Sequence, residues 1–176
     1  MRGAGDLLGE AQAGHVRLIG VDLYQHLLEG ALRSARGEEV DQWTPVLNLG
    51  FGGRLPESWI PEPEIRITLY ARLARIADLP ALDAFEAEIG DRFGELPDEA
   101  RRLIGLARVR ILALDLGLAR IDAGPAAIAL TPRQGAKLDS GAVGLKEKNG
   151  RLLLAGSFAD EGERLERVEA LLGELA

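Results

Sequence analysis

Residues 97–122 read PDEARRLIGLARVRILALDLGLARID, and a change of period inside this stretch decides the fold. Pro97 stands where a first helical residue belongs, because its missing N–H would have no partner there in any case. Asp98 and Glu99 follow in the first turn, where the positive end of the helix dipole favours carboxylates. Leu103, Leu106, Ala107, Ile111 and Leu114 then recur at three and four residues, and Gly117 is placed to end the helix as its left-handed cap. Beyond Gly117 the period becomes two. Ala119–Asp122, Ala127–Leu130 and Arg151–Ala155 are expected as short strands, separated by Gly124-Pro125, Gly141, Gly144 and the hairpin-type turn Lys148-Asn149-Gly150-Arg151. A closing helix is expected over 159–175, with Leu165, Val168, Leu172 and Leu175 on one stripe.

Upstream of the decisive stretch the pattern stays helical. Leu82, Phe85, Ile89 and Phe93 mark the inward side of a helix over 81–92, and Ile65, Leu69, Leu73 and Ile76 mark another over 64–77, stopped by Pro80. Before these lies Leu55-Pro56-Glu57-Ser58-Trp59-Ile60-Pro61-Glu62-Pro63, whose three prolines suit an ordered connector and a domain boundary. A strand is expected over 46–51, ended by Gly52-Gly53, and an amphipathic helix over 15–32. The glycines at 3, 5, 9 and 14 point to tight turns at the start. Helices lead, a small antiparallel sheet follows and a helix ends the chain, which is an α+β architecture.

At 176 residues, 47% apolar and 28% charged, the chain has the material for one folded domain with an appendage. Acids exceed bases by 28 to 21, a net charge of −7, so the chain as a whole is repelled by phosphate backbones. There are no cysteines, which excludes disulfides and thiolate metal sites. No run of apolar residues is long enough to span a bilayer and the amino terminus lacks a signal-peptide core, so the expected location is cytoplasmic.

Catalytic signatures are lacking. There is no G-x-x-x-x-G-K-[ST] phosphate loop, and the early glycines have no preceding strand. His15 and His26 share one helix three turns apart, with only Glu29 close to His26, which fits ordinary histidines better than ligands. None of Ser34, Ser58, Ser140 or Ser157 lies in a nucleophile elbow. Two constellations remain. Arg2 and Gln12, on the glycine-rich frame, could contact phosphate or simply cap a helix, and spacing alone favours the cap. The second is the acidic stretch 78–99, in which Arg92 is the sole cation. With Leu82, Phe85 and Ile89 turned inward, Glu88 and Asp91 fall together on the outer face of their helix. That arrangement is usually a solvated surface; its alternative is a docking face for a partner presenting arginines.

The segment from Arg2-Gly3-Ala4-Gly5-Asp6-Leu7-Leu8-Gly9 through Gln12-Ala13-Gly14 resembles the R-G-x-G-x-L-L-G-x-x-Q-x-G translocation motif that closes the second motor lobe of the bacterial transcription-repair coupling factors (Mfd), a motif shared with the helicase RecG. Leu55-Pro56-Glu57-Ser58-Trp59-Ile60-Pro61, Arg66-Ile67-Thr68-Leu69-Tyr70 and Asp91-Arg92-Phe93-Gly94-Glu95-Leu96-Pro97 resemble the C-terminal domain of that family, which RecG lacks. The likeness covers residues 2 to about 118; Lys137–Lys148 matches no family motif.

The resemblance implies a fragment of a larger ATP-dependent DNA translocase, divided into residues 1–54, the translocation-motif hairpin and connecting strand, and 55–176, a regulatory domain. It implies that Arg2 and Gln12 couple ATP hydrolysis to translocation in the parent, and that Glu88 and Asp91 form an autoinhibitory contact with the parent's UvrB-like module, masking the surface that recruits UvrA. It implies no catalytic residues, metal or cofactor in the fragment, with ATP and magnesium in the parent motor, and duplex DNA, RNA polymerase and UvrA as the parent's partners. Membrane association is not implied. The rival expectation is a DNA-contacting translocation module of a RecG-like helicase. A small enzyme using the carboxylates of 78–99 is disfavoured, because outward carboxylates lack the burial that tunes a catalytic pKa.

Overall fold

The computed structural model describes residues 43–176. The expected helix over 15–32 and the positions Arg2 and Gln12 lie outside the described residues. Two compact units divide the described chain: residues 52–104 form the first, and residues 43–51 with 105–176 form the second.

In the first unit, helix α1 spans Pro63–Arg75 and helix α2 spans Leu79–Phe93. Pro63 opens α1, while Arg72 and Arg75 occupy its last turn, where the dipole favours cations. Pro80 does more than stop α1. It sits in the first turn of α2, and Asp78 caps that helix by accepting a hydrogen bond from the Ala81 N–H at 2.8 Å. Leu82, Phe85 and Ile89 are buried as their spacing predicts. On α1 the inward face is instead Arg66, Leu69, Tyr70, Leu73 and Ala74, so two residues with polar ends replace the expected Ile65 and Ile76.

Those two polar ends hold the proline-rich connector. The Arg66 guanidinium donates through Nη1 to the carbonyls of Ile60 and Pro61, at 2.6 and 3.0 Å. The Tyr70 oxygen accepts from the Leu55 N–H at 2.7 Å. Leu55 and Ile60 are fully buried, so the connector is part of the core of this unit. Gly53 makes that packing possible, because a Cβ there would stand 2.1 Å from the backbone nitrogen of Leu103.

Helix α3 spans Asp98–Leu116; its residues to Ile104 belong to the first unit and those from Gly105 to the second. Gly117 ends it at φ +70, its N–H donating to the Leu114 carbonyl at 3.2 Å. The second unit carries strands β1 (Val46–Asn48), β2 (Leu118–Ala123), β3 (Ala127–Pro132), β4 (Lys146–Lys148) and β5 (Arg151–Ala155), in the order β1-β2-β3-β5-β4. The expected antiparallel pairs are present, with β4 added across the Asn149-Gly150 turn. β1 differs: it pairs with β2 in parallel, Leu47 opposite Ile121, so the sheet is mixed. β1 is also shorter than expected, since Gly50 at φ +81 leaves the extended region.

Helix α4, Glu161–Leu175, is capped by Asp160, which accepts from the Glu163 N–H at 2.9 Å. Its Leu165, Val168, Leu171 and Leu172 pack with Leu49, Val109, Ile121, Ile128, Leu130 and Leu152 into one core on one side of the sheet. Arg164, only 5% exposed, crosses this core edge. Its guanidinium donates to the carbonyls of Leu49, Phe158 and Ala159 at 2.5, 2.9 and 3.3 Å, fastening the exit of β1 to the start of α4.

Candidate functional site

Helix α2 carries both described candidate residues. Burial of Leu82, Phe85 and Ile89 fixes the rotation of the helix, and this turns Glu88 and Asp91 outward, one turn apart. Asp91 is exposed and makes no ion pair or hydrogen bond among the described residues. Arg2 and Gln12 lie outside the described residues.

Glu88 is not a bare carboxylate. Arg72, from α1, meets it in a two-pronged contact, Nη1 to Oε1 at 2.9 Å and Nη2 to Oε2 at 2.6 Å. Arg92, one turn on, stands 3.7 Å from Oε1. Each arginine also lies over an aromatic ring, Arg72 over Phe85 at 5.3 Å and Arg92 over Phe93 at 4.8 Å. The rings restrict the guanidinium groups and so limit the entropy lost when they bind a carboxylate. Phe93 is itself fixed by Trp59, whose indole N–H donates to the Phe93 carbonyl at 2.9 Å while the two rings meet edge to face at 5.8 Å.

The electrostatics follow from this geometry. The hydrogen bond from Arg72 holds the Glu88 carboxyl below the usual range, and the same bond raises the Arg72 pKa. Near neutral pH Glu88 is therefore an ionised acceptor and unsuited to act as a general acid. Both side chains remain about two-fifths exposed, at 43% and 41%, so the contact is wet and can exchange partners.

Within residues 78–99 Arg92 is the sole cation, and the fold brings a second from outside the stretch. Arg72 lies 16 residues from Glu88, on the polar side of another helix, with no local pattern to mark it. Other carboxylates of the stretch are also engaged: Asp78 in its cap, Glu95 with Arg101 at 2.7 Å and Glu99 with Arg54 at 3.9 Å. The face that remains alternates in sign, Arg72, Glu88, Arg92 and Asp91, with Asp91 the available anion. No group of three His, Cys, Asp or Glu side chains among the described residues is placed to hold a metal ion. No described helix is long and apolar enough to cross a membrane.

Residues 49–143 match the TRCF domain family. The chain is similar to the transcription-repair-coupling factor of Escherichia coli K12, 36% identical over 128 residues, 69% of this chain and 11% of that protein. Its likeness to the Haemophilus influenzae protein of the same name is 35% over 130 residues, 70% of this chain and 11% of the relative. With the Myxococcus xanthus protein it is 32% over 140 residues, 79% and 12%. The chain thus spans about a tenth of the length of the curated relatives it matches. In fold it is similar to a crystal structure of the C-terminal domain of a transcription-repair coupling factor, with a TM-score of 0.67 and 21% identity, covering 76% of this chain and 92% of that one.

Proposed function

The chain belongs to the TRCF domain family, and from that premise we propose that it is the C-terminal regulatory region of a transcription-repair coupling factor. In this reading its described part is a protein-binding latch with no catalysis of its own. The latch engages the UvrB-like module of the same parent and masks the surface through which that module recruits UvrA. Release accompanies engagement of RNA polymerase by the parent motor, which supplies ATP, magnesium and duplex DNA binding, in the cytoplasm. Arg2 and Gln12 take the coupling role that the translocation motif implies.

The observation that carries this reading is the mixed-charge face of α2, inside the span matched to the family. Asp91 stands ready for a cation, and Glu88 is already bound to an arginine in the two-pronged geometry that a partner's arginine would use. A latch built this way is weak in each contact and is therefore releasable. The outward, ionised carboxylates support binding over catalysis.

Calorimetric titration of the chain with the UvrB-like module, at low and high salt, tests the reading. Binding is expected to weaken with salt, to fall in Asp91→Arg and to disappear when Glu88→Arg is added. Absence of binding, or binding indifferent to both changes, overturns the latch. ATP hydrolysis by the isolated chain would overturn the non-catalytic assignment. Duplex DNA binding with a linear loss against log salt would favour the rival, a DNA-contacting translocation module.

A further inference from the structure

The second unit carries a different charged surface, on the side of the sheet opposite its core. Directly opposed residues of neighbouring strands share a face. The register therefore places Asn48, Asp122, Ala129, Leu153 and Lys146 in one row across all five strands. Alternation along the hairpin adds Lys148 and Arg151 to the same face. Arg120 also lies there, but its guanidinium is engaged by the Asp122 carboxylate at 2.8 Å, and Asp122 further accepts from the Asn48 amide at 3.0 Å. Lys146, Lys148 and Arg151 are exposed and make no ion pair among the described residues.

One feature sets these three cations apart from an ordinary solvated surface. Lys148 and Arg151 are direct cross-strand partners, and like charges so placed oppose pairing. Asp122, on the same face, has its carboxyl held below the ordinary range chiefly by Arg120 and in smaller part by Arg151, so Arg151 has a partial counter-charge that is already bonded to Arg120 and Asn48. Lysines on an outer strand can serve to discourage edge-to-edge association, yet Arg151 lies on β5, an interior strand of the sheet. Edge protection therefore accounts for β4 but not for the cation that β5 places opposite Lys148.

We propose that this face docks an acidic, extended protein segment, its carboxylates lying along Lys146, Lys148 and Arg151. Lys146 and Lys148 project from alternate residues of one strand, roughly 7 Å apart, which is also the repeat of alternate side chains in an extended peptide. Beside them the face is weakly apolar, with buried Ala129 and half-buried Leu153 in one row and half-buried Ala127 opposite exposed Ala155 in the next. Small apolar groups beside the carboxylates of the partner suit such a floor. A nucleic acid fits less well. The strand residues of this face include no aromatic ring on which a base could stack, Asp122 sits on the same face, and the chain as a whole carries a net charge of −7.

The test is a titration of the isotope-labelled 176-residue chain with a synthetic peptide alternating Glu and Ala, followed by backbone amide shifts, with a Lys/Ala peptide and a duplex DNA as separate arms. The Glu/Ala peptide is expected to perturb amides of β4, β5 and the Ala129 row, and to lose affinity as salt is raised. The triple reversal K146E/K148E/R151E is expected to weaken binding by at least about tenfold. Because reversal could disturb the hairpin, the neutral pair K148Q/R151Q is measured beside it. That pair is expected to bind more weakly while its thermal midpoint holds, since relief of the like-charge pair offsets the loss of the weak attraction between Arg151 and Asp122. Several results would overturn the proposal: shifts elsewhere, equal response to the Lys/Ala peptide, affinity unchanged in both variants, or tighter binding of the duplex. Dimerisation through this face, abolished by the same variants, would assign it to a second copy and equally overturn the proposal.

Discussion

The arginine at the start of α4 and the arginine near the end of α1 use the same group in opposite surroundings. Arg164 is buried and spends its donors on three neutral carbonyls; Arg72 is exposed and spends its donors on one carboxylate. A buried cation bound to carbonyls has no titrating partner, so its contribution is indifferent to acid, and removing it strands carbonyls away from water. An exposed cation bound to a carboxylate is sensitive to both pH and salt, and solvent replaces either partner at low cost. The first arrangement fixes a fold, and the second leaves a surface able to trade one partner for another.

That contrast can be tested in order of expected effect. Arg164→Met should lower stability by about 3 kcal/mol in urea unfolding, with little dependence on salt. Tyr70→Phe should cost about 1–2 kcal/mol, because the Leu55 N–H loses its acceptor. Tyr70 also adds an alkaline signature. Burial raises its pKa above the ordinary 10.0, so the unfolded chain releases the proton first. Stability is therefore full below 10.0 and falls as pH rises from there towards the folded value.

Glu88→Gln should have a smaller effect, seen as a modest drop in thermal midpoint that shrinks as salt is added. Its acid signature has the opposite sign to that of Tyr70. The hydrogen bond from Arg72 depresses the Glu88 pKa, so its contribution is complete above the ordinary 4.5 and fades as pH falls through the folded value. Asp122, depressed by Arg120, behaves likewise below 3.8. Asp91→Ser should leave the midpoint unchanged. A measurable loss in that variant would mean that Asp91 has a structural partner, and the distinction between fixed and tradable contacts would then fail at the residue where it matters most.

Local features were legible in the sequence, and distant pairings were not. The inward triad of α2, the Gly117 cap and the Asn149-Gly150 hairpin each depend on residues a few positions apart, and each is present. The parallel pairing of β1 with β2 joins Asn48 to Asp122 across 74 residues, and Arg164 reaches Leu49 across 115. No periodicity reports such separations. Arg66 and Arg164 also defeat the ordinary expectation that arginine stays exposed, since their burial is permitted only by carbonyls that the folded chain brings together. At the candidate site the outward turn of Glu88 and Asp91 was legible from the wheel, whereas the neutralising arm from α1 was not.

The hairpin turn at Asn149-Gly150 also has a chemical lifetime. Asn149 is exposed, and the glycine after it has no side chain to shield its backbone nitrogen, which can attack the Asn149 side-chain carbonyl and expel ammonia. Ring opening would leave an aspartate or an isoaspartate between Lys148 and Arg151. Either product places a new anion beside this pair of cations, and the isoaspartate also lengthens the main chain by one methylene within the turn. Aged preparations should therefore become more acidic than fresh ones and bind the acidic peptide less well, so ageing alone would yield a natural variant of the cationic face.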